Sequence, residues 1–182
     1  MKKTKTIIEG LYVIKQKLFN DIRGQFLQCW NEKTFNDLEL NQHFNHDNIS
    51  TSHKNVIRGL HFQSEPHSQL KLVHVIKGSV IDVVVDLRKS SKTFGEHFSI
   101  ELSSINHLML WIPKGCAHGF KALEENTIFH YKCCGEYKPN YEKTILWNDL
   151  DLNINWGDGK PLLSKKDVNG ITFDEYKNQI LK

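Results

Sequence analysis

Residues 56–72 read VIRGLHFQSEPHSQLKL, and three of their side chains are suited to chemistry: Arg58, His61 and Lys71. Histidine exchanges protons near neutral pH. Two cations beside it suit an anionic substrate. The residues around them are strand-like, with Val56, Ile57, Leu60 and Phe62 before a polar turn at residues 64–68 and Leu70, Leu72 and Val73 after it. This pattern predicts two strands joined by a loop, with charge where a sheet normally buries apolar groups. Buried charge is costly unless it is paired or used. The plain alternative is a solvated surface hairpin with one ordinary histidine.

Spacing adds a condition. Arg58 and His61 are an odd number of residues apart, so a regular strand sends them to opposite faces. Gly59 between them can host a bulge that re-aims one side chain. Lys71 shares a face with Val73 and Val75, and Asp82 or Asp86 in the following strand can pair with it.

Other chemistries fit less well. Small metal-binding β-barrels place two histidines two apart with a glutamate a few residues on, but position 63 is Gln, and His67, His74 and His118 are scattered. Tight metal sites need three or four convergent ligands, so no metal is expected. There is no Gly-x-Ser-x-Gly and no Gly-rich phosphate loop. Cys116 and His118 are close in sequence, whereas catalytic Cys/His pairs are neighbours in space. What remains is acid–base chemistry without metal or cofactor, with Arg and Lys holding anions.

Composition sets the frame. The chain has 182 residues, 24 basic against 21 acidic, and four cysteines. That length suits one domain, residues 1–182, with a substantial core. No basic run or aromatic-interleaved stripe marks a nucleic-acid surface. No segment approaches the roughly 18 apolar residues of a membrane span, and the basic start lacks the apolar stretch of a signal peptide. Cys29, Cys116, Cys133 and Cys134 are expected as free thiols in a reducing cytoplasm.

The elements that must position these groups are mostly strands. Residues 7–30 read as two strands around a turn at residues 20–24. Residues 31–40 hold a short surface helix, with Thr34 and Asp37 resembling a capping box. Residues 44–52 form a polar strand, suited to a sheet edge or a polar cavity. Residues 70–76, 80–87, 98–102, 108–112, 127–133 and 150–156 alternate with period two. Short strands at such intervals predict an all-β sandwich or barrel. Residues 172–180 have helical spacing, predicting a C-terminal helix packed on the barrel exterior.

RGLHFQ, SQLKLV, GSVIDVVVDLR, FGEHFSIELS, IPKGCAHGF, YEKTILWND, INW and LSKKD follow in order, with DIRGQF and HDNIST upstream. This set closely resembles the dTDP-4-dehydrorhamnose 3,5-epimerase family, from about residue 10 to residue 167. The resemblance implies a cupin-type antiparallel β-barrel (jelly-roll) and a homodimer. It implies a nucleoside-diphosphate 4-keto-6-deoxy sugar as substrate. The C4 ketone acidifies C3 and C5, a base removes a proton, an enolate forms, and an acid returns the proton to the other face.

By the same resemblance His61 is the base and Asp167 its carboxylate partner, Tyr131 the acid, and Lys71 the cation near the enolate oxygen. Arg58 and Lys166 contact the diphosphate. Arg23, Phe26, Gln28 and Asn48 bind nucleotide, partly across a dimer interface, and His118 lies close to the site. Tyr137 rivals Tyr131, Ser164 and Asp167 also fit a helix capping box, and Asp82 reads as the neutraliser of Lys71. Gln28 stands where members commonly have Glu. An amide donates as well as accepts, so it suits either thymine or the base of a CDP-, UDP- or GDP-sugar. His46, His74 and Cys116 depart from the common Gln, Arg and Phe. The alternatives are a single-centre epimerase, a sugar 3,4-ketoisomerase, or a non-catalytic or metal-dependent cupin.

Overall fold

The computed structural model describes residues 1–180. Thirteen strands and three short α-helices alternate with loops. The first strands are β1 (Lys2–Lys5), β2 (Tyr12–Lys15), β3 (Leu18–Asp21) and β4 (Gly24–Leu27). Helix α1 (Glu32–Asp37) leads to β5 (His46–Ser52), β6 (Ile57–Gln63), β7 (Lys71–Lys77) and β8 (Ser79–Asp86). Then come β9 (His97–Ser103), β10 (Leu108–Ile112), β11 (Cys116–Ala122), β12 (Thr127–Cys133) and β13 (Glu142–Thr144). Helices α2 (Lys165–Val168) and α3 (Phe173–Ile180) follow.

Two antiparallel sheets make the body. One has the order β1-β2-β10-β7-β12-β5, the other β13-β6-β11-β8-β9, and β3 with β4 form a separate hairpin. The all-β jelly-roll expectation is met, although the sheets face each other without closing into one hydrogen-bonded barrel. Val73, Val75, Leu110 and Phe129 from the first sheet meet Val80, Val84, Leu102 and Phe120 from the second in the layer between them. The outer face of the second sheet is covered by the chain after β13, where Phe173 and Tyr176 of α3 join Val83 and Val85. The expected C-terminal helix therefore packs on the exterior.

Several local expectations change. Helix α1 is short, but Phe35 is fully buried against Trp111 and Trp30. Its cap is Asn31, whose Oδ1 accepts the Thr34 N–H at 3.0 Å, while Asp37 pairs with Lys33. Residues 150–156 are turns and loop, not a strand. Their alternation arises because Leu152 and Trp156 are buried anchors of an irregular segment. Strand β11 was not anticipated, since all seven of its residues are buried and show no alternation. Strand β1 pairs with β2 at the sheet edge and was not anticipated either. The four cysteines are free thiols. No helix among the described residues is long and apolar enough to cross a membrane.

Candidate active site

The bulge anticipated at Gly59 sets the site's geometry. Against β11, β6 pairs His61 with His118 and Arg58 with Phe120, so three steps on one strand match two on the other. The extra residue brings Arg58 and His61 to the same face. Gly59 has φ +144°, and a Cβ there would lie 2.4 Å from the Cα of Gly119. Only glycines allow the two strands to approach this closely.

A cavity of about 530 Å³ opens between the sheets. It gathers Asn48, Arg58, His61, Lys71, His118, Tyr131, Lys166 and Asp167, eight of the eleven residues expected at the site. His61 stands on β6 of one sheet and Tyr131 on β12 of the other. Arg23 and Phe26 belong to the β3–β4 hairpin and Gln28 follows it; all three are exposed and lie outside the cavity. Arg23 is folded back onto Asp21 at 2.5 Å.

His61 Nε2 lies 2.5 Å from Asp167 Oδ1. Asp167 Oδ2 accepts the Ser164 hydroxyl at 2.7 Å, and Ser164 Oγ accepts the Asp167 N–H at 3.2 Å. The capping and partner readings are therefore both realised: the turn that starts α2 also aims the carboxylate. Burial pushes the Asp167 pKa up, but the bonds from His61 and Ser164 outweigh it and hold it below the usual value. Burial lowers the His61 pKa; Asp167 opposes this, while Lys166 and Lys71 add to it. A neutral ring donating through Nε2 keeps its lone pair on Nδ1.

Burial also lowers the Lys71 pKa, against the pull of Cys133, Glu142 and Asp82. Lys71 has no ion-pair partner among the described residues, because the candidate carboxylates are engaged elsewhere. Asp82 accepts His118 Nε2 at 2.9 and 3.0 Å, and Asp86 takes Arg88 at 2.7 Å. The expected Asp82–Lys71 pair is thus replaced by an Asp82–His118 pair. Asp82 is fully buried, and that burial raises its pKa.

Tyr131 is half-buried, and burial raises its pKa further above neutrality, so the phenol keeps its proton. Its rival Tyr137 also lines the cavity but is 53% exposed and donates to Glu142 Oε2 at 2.8 Å. Glu142 Oε1 pairs with Lys166 at 2.5 Å. Sequence reasoning missed Glu142 as a cavity residue. Its only signal was a charged group just before the TILWND run, where a solvated side chain is the ordinary reading. No three His, Cys, Asp or Glu side chains converge as a metal-ligand set among the described residues.

Chemically, the cavity holds a neutral imidazole on one wall, and a protonated phenol with a desolvated ammonium on the other. Such a set can remove a proton from a carbon, hold the charge and return a proton elsewhere. Comparison with known proteins agrees. The family model for dTDP-4-dehydrorhamnose 3,5-epimerase matches residues 5–175. The dTDP-4-dehydrorhamnose 3,5-epimerase of Shigella flexneri is 45% identical over 174 residues, covering 95% of this chain and 96% of that protein. The crystal structure of the Elizabethkingia anophelis enzyme of that name superposes with a TM-score of 0.91 at 44% identity, covering 96% of this chain and 97% of the other. The dTDP-6-deoxy-D-glucose-3,5-epimerase of Legionella pneumophila, solved in complex with dTDP-4-keto-L-rhamnose, gives a TM-score of 0.91 at 40% identity, covering 95% and 93%. With sequence motifs, fold and matches agreeing over nearly its whole length, the chain belongs to the dTDP-4-dehydrorhamnose 3,5-epimerase family.

Proposed function

We propose that this protein inverts C3 and C5 of dTDP-4-dehydro-6-deoxyglucose, giving dTDP-4-dehydrorhamnose. The observation that carries the reading is the placement of His61 and Tyr131 on facing sheets of one cavity. Epimerisation needs a proton taken from one face of the sugar and another delivered to the opposite face. His61 takes it, poised neutral by burial and oriented by Asp167. Tyr131 delivers it. Lys71, whose charge no carboxylate claims, stabilises the developing oxyanion on C4, a contribution often among the largest in such reactions.

Arg58, Lys166 and Asn48 hold the diphosphate and nucleotide, with His118 packed beside the sugar. Arg58 Nε bonds Ser52 Oγ at 3.1 Å, which ties β6 to the end of β5. The exposed hairpin carrying Arg23 and Phe26, with Gln28 beyond it, serves the cavity of a second copy in a homodimer. An amide at Gln28 can still accept from a thymine N3–H.

Proton NMR of dTDP-4-keto-6-deoxyglucose in D₂O with chelator present tests the reading. Loss of both the C3 and C5 proton signals is expected, with the product trapped by a reductase to fix its stereochemistry. Loss of one signal reduces the activity to one centre. No exchange with the dTDP-, CDP-, UDP- or GDP-linked sugar overturns it.

A further inference from the structure

Asn48 reaches the cavity from an edge strand whose sequence does little to fix its own register. Strand β5 reads HDNISTS and pairs only with β12. Register is strongly specified where one face is apolar and buried; a strand polar on both faces lacks that signal, and a one-residue slip exchanges the faces. In β5, His46, Asn48 and Ser50 line the cavity, while Asp47, Ile49 and Thr51 face outward, Ile49 being 65% exposed. Apolar burial therefore does not hold this strand in place.

A charged cluster lies on its outward face instead. Asp47 stands directly opposite Lys132 in the ladder, and His130 stands opposite Ile49. The Asp47 carboxylate takes Lys132 Nζ at 2.6 Å on one oxygen and His130 Nε2 on the other. Behind it, His130 Nδ1 faces His74 Nδ1 on β7 at 3.3 Å. Burial and then His130 lower the His74 pKa to about 4, so that ring is neutral and one of the two supplies the shared proton. The chain of contacts runs across three strands, on the face opposite Tyr131 and Asn48. A slip of one residue would carry Asp47 into the cavity and strip Lys132 and His130 of their partner.

We propose that Asp47 is a positioning residue for the reaction: its clamp on His130 and Lys132 sets the register of β5 and so holds the ligand-facing wall of Asn48, His46 and Ser50. His46 Nε2 and Ser50 Oγ are buried without a hydrogen-bond partner among the described residues. Correct register thus keeps unused polar atoms turned toward the ligand, since such groups ordinarily find partners. The inference rests on the reading that this wall meets the nucleotide.

Steady-state kinetics with dTDP-4-keto-6-deoxyglucose and amide hydrogen exchange of β5 test it on Asp47→Ala, Asp47→Asn and Lys132→Met. In Asp47→Ala, KM is expected to rise about three- to tenfold with kcat held within about threefold, and β5 amides exchange faster. Asp47→Asn and Lys132→Met shift the same way by less. Ile49→Thr, on the same outward face but outside the clamp, leaves both unchanged. An unaltered KM and unaltered β5 exchange in the Asp47 and Lys132 variants overturn the proposal, as does an equal shift in Ile49→Thr. If wild-type protein does not turn this substrate over, the proposed function fails, and β5 exchange alone still decides whether the clamp exists.

Discussion

His61 and His118 lie directly opposite each other on neighbouring strands, and each ring is held by its own buried carboxylate. The two pairs differ in electrostatics. The Asp167 pKa is depressed by its hydrogen bonds, whereas burial raises that of Asp82. Asp167 is thus the carboxylate kept ionised by its bonds, and burial keeps its partner His61 neutral. His61→Ala is therefore expected to abolish exchange at both C3 and C5 in D₂O, a loss of about 10²–10⁴-fold or more. His118→Ala should retain measurable exchange. Equal loss in both variants, with folded protein, would assign the base role to the two rings jointly.

Tyr131 and Tyr137 separate by a different measurement. Tyr131→Phe removes a phenol whose proton burial retains, so inversion should fall more than the initial wash-out of substrate protons. Tyr137→Phe removes a largely exposed hydroxyl bonded to Glu142, and should leave the ratio of exchange to inversion near wild type. The reverse pattern would move the acid to Tyr137.

The pH dependence follows from His61 and Asp167. Burial lowers the His61 pKa, and under the proposed function the neutral ring is the active form. Activity is then present at neutral pH and is lost as pH falls through that lowered value. The acid limb of kcat/KM should lie below about 6.5, the ordinary histidine value. An inflection above it would contradict the assignment. Asp167→Asn should cut turnover by about 10²–10⁴-fold, because the ring loses the acceptor that fixes its tautomer. Ser164 would still cap α2, so the melting temperature should change little. A protein that simply unfolds would mean that Asp167 serves the helix alone.

Lys71 predicts opposite effects on activity and stability. A desolvated ammonium without a carboxylate of its own destabilises the fold. Lys71→Met should lower kcat by about 10²–10³-fold through lost oxyanion stabilisation. The same variant should melt at or above the wild-type temperature, by about 2–4 °C for each kcal/mol recovered. A lower melting temperature would show that the ammonium has a structural partner.

Much of this was legible in the chain and some could not be. Strands with one wet face, such as β9 and β12, announce themselves by alternation, and the oddly spaced Arg58 and His61 pointed to the bulge. Strand β11 has no wet face, so its seven buried residues carry no period. Residues 150–156 carry a period without a strand, because irregular chain can also bury alternate residues. Site residues could be named only through an ordered set of motifs; nothing local to Asp167 says that it meets His61. Glu142 was hidden because its ion-pair partner, Lys166, comes from a separate segment.

The His61–Asp167 pair joins residues 106 positions apart. Contacts of such separation form only after loop-closure entropy has been overcome, and they are slow relative to local structure. A ribosome-bound chain that has emerged through β12 holds every strand of the two sheets except β13, yet it lacks the carboxylate that His61 meets. Under the proposed function, proton exchange is expected only once residue 167 has joined the sheets, and its onset becomes a clock for completion of the native topology.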